Sequence, residues 1–80
     1  MILEVERPTN KKTEKRIHFY EKLGFFLNKF NYIIPKLNPD TKMLPLYLMT
    51  KKPLTKIEFE EIRDIIHTQI YKTKPIYELD

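Results

Sequence analysis

The sequence predicts an α/β (α+β) domain in which a three-stranded sheet combines with two helices in the order β-α-β-β-α. Two stretches repeat apolar residues at helical spacing, and three shorter stretches have strand patterns. Prolines and the single glycine separate them, and 80 residues are enough for one domain, 1–80. A right-handed crossover places the first two strands parallel. The third strand then fits between them, which predicts a mixed sheet of order 1-3-2.

The first strand is predicted at Ile2–Glu6. Leu3 and Val5 point to one face of the strand, and Ile2, Glu4 and Glu6 point to the other. Pro8 follows the strand and cannot donate to a ladder. The outer edge of this strand has no partner in the predicted sheet, and proteins normally pair, cover or charge such an edge.

The first helix is predicted over residues 12–23, and either Asn10 or Thr13 can cap its start. Two adjoining apolar rows run along it, Ile17 with Tyr20 and Phe19 with Leu23. Gly24 follows its end, where a left-handed residue is needed. We expect the next residue, Phe25, to fold back onto Phe19.

The second strand is predicted from Phe26 to Ile34, between the helix and Pro35. One face is apolar, with Phe26, Phe30, Tyr32 and Ile34, and the other face is wetter, with Lys29 and Asn31. Turn residues predict a loop over 36–42. The third strand is predicted at 46–50, preceded by residues 43–45. Its residues are apolar on both faces, which favours a central strand covered on both sides.

The second helix, 55–71, has the clearest signals. Thr55 and Glu58 predict a capping box, and Leu54 with Phe59 predicts the matching hydrophobic staple. An apolar row follows at helical spacing, Phe59, Ile62, Ile66 and Ile70, joined by Ile65. The tail to Asp80 is expected to add a short extended piece or to fray.

Composition narrows the function. There is no cysteine, and the two histidines, His18 and His67, lie far apart in the sequence, so we expect no metal site. No apolar run approaches the ~20 residues that span a bilayer, and the acidic start does not resemble a signal peptide, which predicts a cytoplasmic protein. The net charge of +4 favours polyanions such as nucleic acid or a phosphate-bearing ligand, although a solvated lysine-rich surface explains it better.

Residues 16–25, RIHFYEKLGF, resemble the helix of GNAT-type N-acetyltransferases, in which a pattern of the form FYEKLGF is characteristic. The preceding strand ILEVE and the later segments YIIP and PLYLM resemble strands of a bacterial subgroup. The segment PLT, followed by EF, resembles that subgroup's added C-terminal helix. The series covers nearly the whole chain. It implies the C-terminal part of the acyl-CoA N-acyltransferase fold, with the three strands as a half-sheet.

The resemblance implies acetyl-CoA as co-substrate, a primary amine as acceptor and no metal. In the family the sheet splays between its fourth and fifth strands, and this chain is expected to begin at the fifth. The portion with the pyrophosphate-binding loop would then be absent. A loop of that kind needs closely packed backbone N–H groups at a helix start, and Gly24 is already used at a helix end. We expect the isolated chain to be incomplete, with a complementary N-terminal half or a second copy as partner.

Tyr20 is the catalytic candidate. By resemblance it holds the place of the tyrosine that protonates the departing CoA thiolate, a step that a phenol near the sulfur can perform. Without the resemblance, a half-buried helix tyrosine with its hydroxyl in water is the plainer interpretation.

The resemblance also points to cofactor contacts. Thr13 stands where many members have an asparagine that contacts CoA, and Arg16 stands where many have alanine. Lys12, Arg16 and Lys15 can meet a CoA phosphate or form a solvated face, and Thr13 can simply cap the helix.

Other polar residues have alternatives too. Glu4 and Glu6 can act as a general base or as edge charges that discourage pairing. His18 can act as a base, but a partly exposed helix histidine is the better interpretation, and His67 is expected on the polar flank of the second helix.

Two other functions remain open. The chain can be a non-catalytic interaction module that self-associates through the open edge Ile2–Val5. It can also bind nucleic acid through its charge and through aromatic residues, Phe25, Phe26, Phe30 and Tyr32. We expect these aromatics to alternate onto the face covered by the helices, which disfavours nucleic acid.

Overall fold

The computed structural model describes residues 1–38 and 40–79. The elements in chain order are β1 (Ile2–Glu6), α1 (Lys11–Lys22), β2 (Phe26–Ile34), β3 (Leu44–Thr50) and α2 (Lys56–Ile65), which runs on into a π-helical turn, Ile66–Ile70. The predicted element order is confirmed, with ends displaced by one or two residues. Pro39 of the predicted loop 36–42 and Asp80 of the predicted tail lie outside the described residues.

The sheet has the predicted order, β1-β3-β2. Both hydrogen-bonded pairs are antiparallel, so β1 and β2 point the same way on either side of β3. Thr50 lies opposite Ile2 on one side and opposite Phe26 on the other. The predicted fold class and strand order are confirmed, and the central strand is the apolar one, as expected. The sheet is antiparallel throughout, not mixed as predicted, because β1 and β2 do not pair with each other.

A bulge in β2 was not predicted. Asn28 lies opposite Leu48 and Tyr32 lies opposite Leu46, so residues 29–31 face Tyr47 alone. The buried Asn28 side chain sits at the start of this bulge. Its Nδ2 donates to the Leu48 carbonyl (3.1 Å) and to Thr50 Oγ1 (2.9 Å), and its Oδ1 accepts from the Leu54 amide at 2.9 Å. One amide side chain thus joins β2, β3 and the start of α2.

The two helices cover opposite faces of the sheet. Ile17 of α1 packs with Val5, Phe25 and Met49, whereas Phe59 of α2 packs in a second cluster with Tyr32, Ile34 and Leu48. Neighbouring residues of β3 therefore point into different clusters, as strand alternation requires.

The prediction that four aromatics share one covered face was wrong. Phe25 packs under α1, Tyr32 and Phe30 pack under α2, and Phe26 is 48% exposed. The bulge explains part of this result, because it breaks the alternation between Phe26 and Tyr32.

Helix α1 ends in a Schellman motif. The Phe25 amide donates to the Tyr20 carbonyl (3.1 Å), the Gly24 amide donates to the Glu21 carbonyl (3.0 Å), and Gly24 has φ +93°. Phe25 meets the ring of Tyr20 edge-on at 6.1 Å. The predicted contact between Phe25 and Phe19 was wrong. Phe25 packs on Tyr20, the residue that follows Phe19 in the helix, and Phe19 is 59% exposed.

Helix α2 starts with the predicted capping box of Thr55 and Glu58, and Leu54 packs against the cluster that holds Phe59. Its apolar row is shorter than predicted, because Ile65 and Ile70 are exposed. Ile65 lies to one side of the row. Ile70 is turned outward because the π-helical turn takes more residues per turn than an α-helix.

Replacing Gly24 with alanine should destabilise the fold. A Cβ there meets only Lys51 Nζ, at an ordinary 3.5 Å, so the cost comes from the left-handed backbone and should be about 1–2 kcal/mol. Denaturant unfolding measures it. Lys22→Ala, in the exposed last turn of the same helix, should cost less than about 0.5 kcal/mol. Equal stability of the two variants would contradict this interpretation of the turn.

Candidate active site

Tyr20 lies in the last turn of α1, on the side that faces the sheet. It is half-buried and packs against the cluster of Val5 and Phe25. Phe19 and Phe25 hold its ring in edge-to-face contacts at 5.6 and 6.1 Å. Among the described residues, the Tyr20 hydroxyl has no hydrogen-bond partner. The ring is fixed by its neighbours, and the hydroxyl is left to donate to something else.

A crevice of about 390 Å³ lies beside Tyr20, between β1 and the end of α1. Its other lining residues are mostly apolar, namely Met1, Leu3, Leu23, Phe25 and Lys51. The Lys51 ammonium lies 4.2 Å from the Phe25 ring centre and donates to the Leu23 carbonyl at 2.5 Å. This contact also places a cation at the carboxyl end of α1, where the helix dipole favours one.

The start of α1 holds the three predicted cofactor contacts. Thr13 is buried, and its hydroxyl donates to the Asn10 carbonyl while accepting from the Thr9 and Asn10 amides. Asn10 caps the helix in a reciprocal box with Thr13, so both residues proposed as caps take part. Lys12 and Arg16 are exposed, and Arg16 forms an ion pair with Glu6 at 3.8 Å. None of the three lines the Tyr20 crevice.

The predicted bases do not meet Tyr20 either. His18 lines a different hollow, between α1 and β2, together with Glu14, Glu21 and Lys29. Glu4 lies on the α2 face of the sheet, whereas Tyr20 lies on the α1 face.

Glu4 belongs to a hydrogen-bonded cluster that the sequence did not reveal. The Tyr32 hydroxyl donates to Glu4 Oε2, and the Tyr71 hydroxyl lies 3.0 Å from both carboxylate oxygens. Burial, followed by the hydrogen bond to Glu4, raises the pKa of Tyr32 well above its ordinary value, and the same causes raise the pKa of Tyr71 to about 12. Both phenols therefore stay protonated and act as donors.

His67 lies under this cluster and is fully buried. The prediction that it lies on a polar flank was wrong. Its Nε2 donates to the Ile33 carbonyl at 2.7 Å, its Nδ1 accepts from the Ile76 amide at 3.0 Å, and its ring stacks on Tyr32 at 5.5 Å. The segment after α2 folds back over the helix and supplies the second partner, an arrangement that helical periodicity does not encode.

The structure also bears on metal and membranes. In residues 1–38 and 40–79, no group of three or more His, Asp or Glu side chains is placed to hold a metal ion. Over the same residues, no helix is long and apolar enough to cross a membrane.

Comparison with known proteins connects the fold to a family. No protein-family model and no curated protein matches the chain. A solved structure does match, a protein from Bacteroides thetaiotaomicron assigned to the GNAT family of acetyltransferases, with a TM-score of 0.82 and 38% sequence identity. The match covers 91% of this chain and 42% of that one.

The chain is a partial GNAT domain. It spans less than half of the GNAT protein that it matches. The family resemblance expected from FYEKLGF and the later segments is therefore confirmed. Which part of a GNAT domain the chain forms, and the roles of Tyr20, Thr13, Arg16 and Lys12, stay predictions.

His67 should make the stability of this GNAT portion depend on pH. Burial lowers the pKa of His67 in the folded state, so the unfolded chain takes up a proton first as the pH falls. The contribution of His67 should therefore be complete above its unfolded pKa, about 6.5, and should be lost progressively below it. Denaturant unfolding between pH 7.5 and 5 measures this loss.

The control for this effect is His18, which is exposed. His18→Gln should keep the pH dependence of the wild type, and His67→Gln should flatten it. An unchanged slope in His67→Gln would show that other groups cause the loss.

Proposed function

We propose that the chain is the C-terminal portion of a cytoplasmic GNAT-type N-acetyltransferase that transfers acetyl from acetyl-CoA to a primary amine. The observation that carries the proposal is the placement of Tyr20. Its ring is clamped between Phe19 and Phe25 at the mouth of an apolar crevice, and its hydroxyl is left without a partner among the described residues. An apolar wall beside one phenol suits an acyl thioester and its departing sulfur.

In the proposed reaction the amine nitrogen attacks the thioester carbonyl, and the C–S bond then breaks. Tyr20 donates its hydroxyl proton to the departing thiolate, so that CoA leaves as the neutral thiol. The tyrosinate is reprotonated from solvent, which also receives the proton lost by the amine. Phe19 and Phe25 keep the phenol in one position.

The CoA phosphates are expected to need residues outside this chain. Gly24 is the single glycine and closes α1, so the chain has no glycine for a backbone cradle of the kind that binds pyrophosphate. Lys12 and Arg16, exposed along the first half of α1, would contact an outer phosphate. Thr13 would act by holding the helix start in place.

The test of Tyr20 is a chimera in which this chain replaces its matched segment in the Bacteroides thetaiotaomicron protein. Tyr20→Phe should lower kcat for acetyl transfer by about 10²-fold or more, because general acid catalysis is worth that much. The loss of kcat caused by Tyr20→Phe should be smaller when the acyl donor carries a thiol that is a better leaving group.

Tyr77→Phe is the matched control, since Tyr77 is an exposed tyrosine that does not line the crevice. It should leave kcat unchanged. An unchanged kcat in Tyr20→Phe, or an equal loss of kcat in both variants, would refute the proposed role of Tyr20.

A second function is favoured by the edge of β1. In the described sheet β1 pairs only with β3, and Met1 and Ile2 are 88% and 43% exposed beside it. We propose as the alternative a non-catalytic module that pairs this edge with a second copy, giving one continuous sheet across a two-fold axis. Under the first proposal the same edge receives a complementary N-terminal half.

Sedimentation velocity on the 80-residue chain separates the two. The acetyltransferase proposal predicts a monomer up to high micromolar concentration, because Glu4 and Glu6 charge the edge. A concentration-dependent dimer that Ile2→Lys abolishes would favour the module instead.

A further inference from the structure

A third hollow, which we call the edge cavity, lies on the α2 face between the start of β1 and the π-helical turn. Its volume is about 220 Å³, and its lining residues are Ile2, Glu4, Ile66, Ile70 and Tyr71. Three of the five are isoleucines, one is a phenol and one is a carboxylate. Pockets for drug-sized ligands measure roughly 300–1,000 Å³, so the edge cavity is matched to a smaller molecule.

The Glu4 carboxylate in this cavity is held in a fixed position and can still accept further hydrogen bonds. Tyr32 and Tyr71 bind it from two sides. A carboxylate has about four acceptor positions, and these two hydroxyls leave some of them open. Among the described residues no lysine or arginine forms an ion pair with Glu4, so its charge is not neutralised within this part of the chain.

The π-helical turn builds the apolar side of the cavity. It turns Ile70 out of the apolar row of α2, to 68% exposure, and it sets Tyr71 against Glu4. The Tyr71 amide closes the turn by donating to the Ile66 carbonyl at 3.1 Å. One irregular turn therefore places two isoleucines and the phenol around the carboxylate.

From this arrangement we infer that the edge cavity binds the acceptor, a primary ammonium that carries a short unbranched apolar chain. The ammonium would donate to Glu4, and the chain would lie against Ile2, Ile66 and Ile70. This inference rests on the proposed function, because only an acetyltransferase gives the bound amine a role as acceptor. A neutral alcohol lacks the charge, a carboxylate has the wrong charge, and a polar amine leaves the isoleucines uncovered.

The cavity can be tested on the chain itself, without acetyl-CoA. Hexylammonium is titrated into the isotopically labelled protein while the amide resonances of Ile2, Ile66 and Ile70 are followed. We expect saturable binding with a Kd on the order of 1 mM, since a cavity of this size makes few contacts. Hexan-1-ol and hexanoate, of the same length, should bind at least about tenfold more weakly.

Variants locate the site. Glu4→Gln keeps an oxygen for the two tyrosines but removes the charge, and should weaken hexylammonium binding about tenfold or more. Tyr71→Phe should weaken it several-fold. Glu61→Gln makes the same change of charge at an exposed position of α2 outside the cavity, and should leave the affinity unchanged.

Equal affinity for hexylammonium and hexan-1-ol, or an unaffected Glu4→Gln variant, would overturn the inference, and so would the absence of saturable binding. None of these results would bear on the proposed role of Tyr20 as the acid, which the chimera tests separately. Conversely, an inactive chimera beside intact hexylammonium binding would refute the acetyltransferase and leave the edge cavity as an amine site.

Discussion

The left-handed turn at Gly24 is the constraint on which the rest of the structure depends. It stops α1, reverses the chain and starts β2, and through the Schellman hydrogen bonds it brings Phe25 onto the ring of Tyr20. The same turn lies against Lys51 from the far end of β3. The side chain proposed as the acid is therefore positioned by a backbone conformation that glycine adopts readily and that other residues adopt only at a cost.

The sheet divides the chemistry between its two faces. Tyr20 and its crevice lie on the α1 side, and Glu4 with its two tyrosines lies on the α2 side. They come closest at β1, whose Leu3 belongs to the crevice and whose Glu4 belongs to the edge cavity. In the described sheet this strand has one free edge, so a donor on one face and an acceptor on the other would meet across it. The proposed reaction therefore needs an N-terminal half that leaves this part of β1 open, which a second copy paired along the edge would not do.

Local chemistry made most of the fold predictable. The capping box at Thr55, the glycine after α1 and the apolar pattern of β3 each act within a few residues, and each held. The bulge after Asn28 and the π-helical turn were not predictable in this way. The Asn28 amide makes its hydrogen bonds with β3 and with the start of α2. The chain segment after the π-helical turn folds back and donates to the His67 ring.

The residues of the candidate sites differ in the same way, because some are placed by neighbours in the sequence and others by distant parts of the chain. Tyr20 lies in a short sequence motif, and the two rings that hold it, Phe19 and Phe25, are close to it in sequence. The cluster around Glu4 joins residues 28 and 67 positions apart. Each of its members looks unremarkable in sequence, as an edge carboxylate, a core tyrosine and a tyrosine at a helix end. Periodicity assigns such residues to faces but does not say which of them meet.

We propose that these residues carry the acid of a GNAT acetyltransferase without a complete site for CoA. Native mass spectrometry of the chain with a tenfold excess of acetyl-CoA tests it most directly. We predict the mass of the free chain at micromolar protein, and a 1:1 complex with acetyl-CoA only after a pyrophosphate-binding GNAT segment is added. A stable 1:1 complex between one copy of the chain and acetyl-CoA would show that the chain holds a complete CoA site and would refute the proposal.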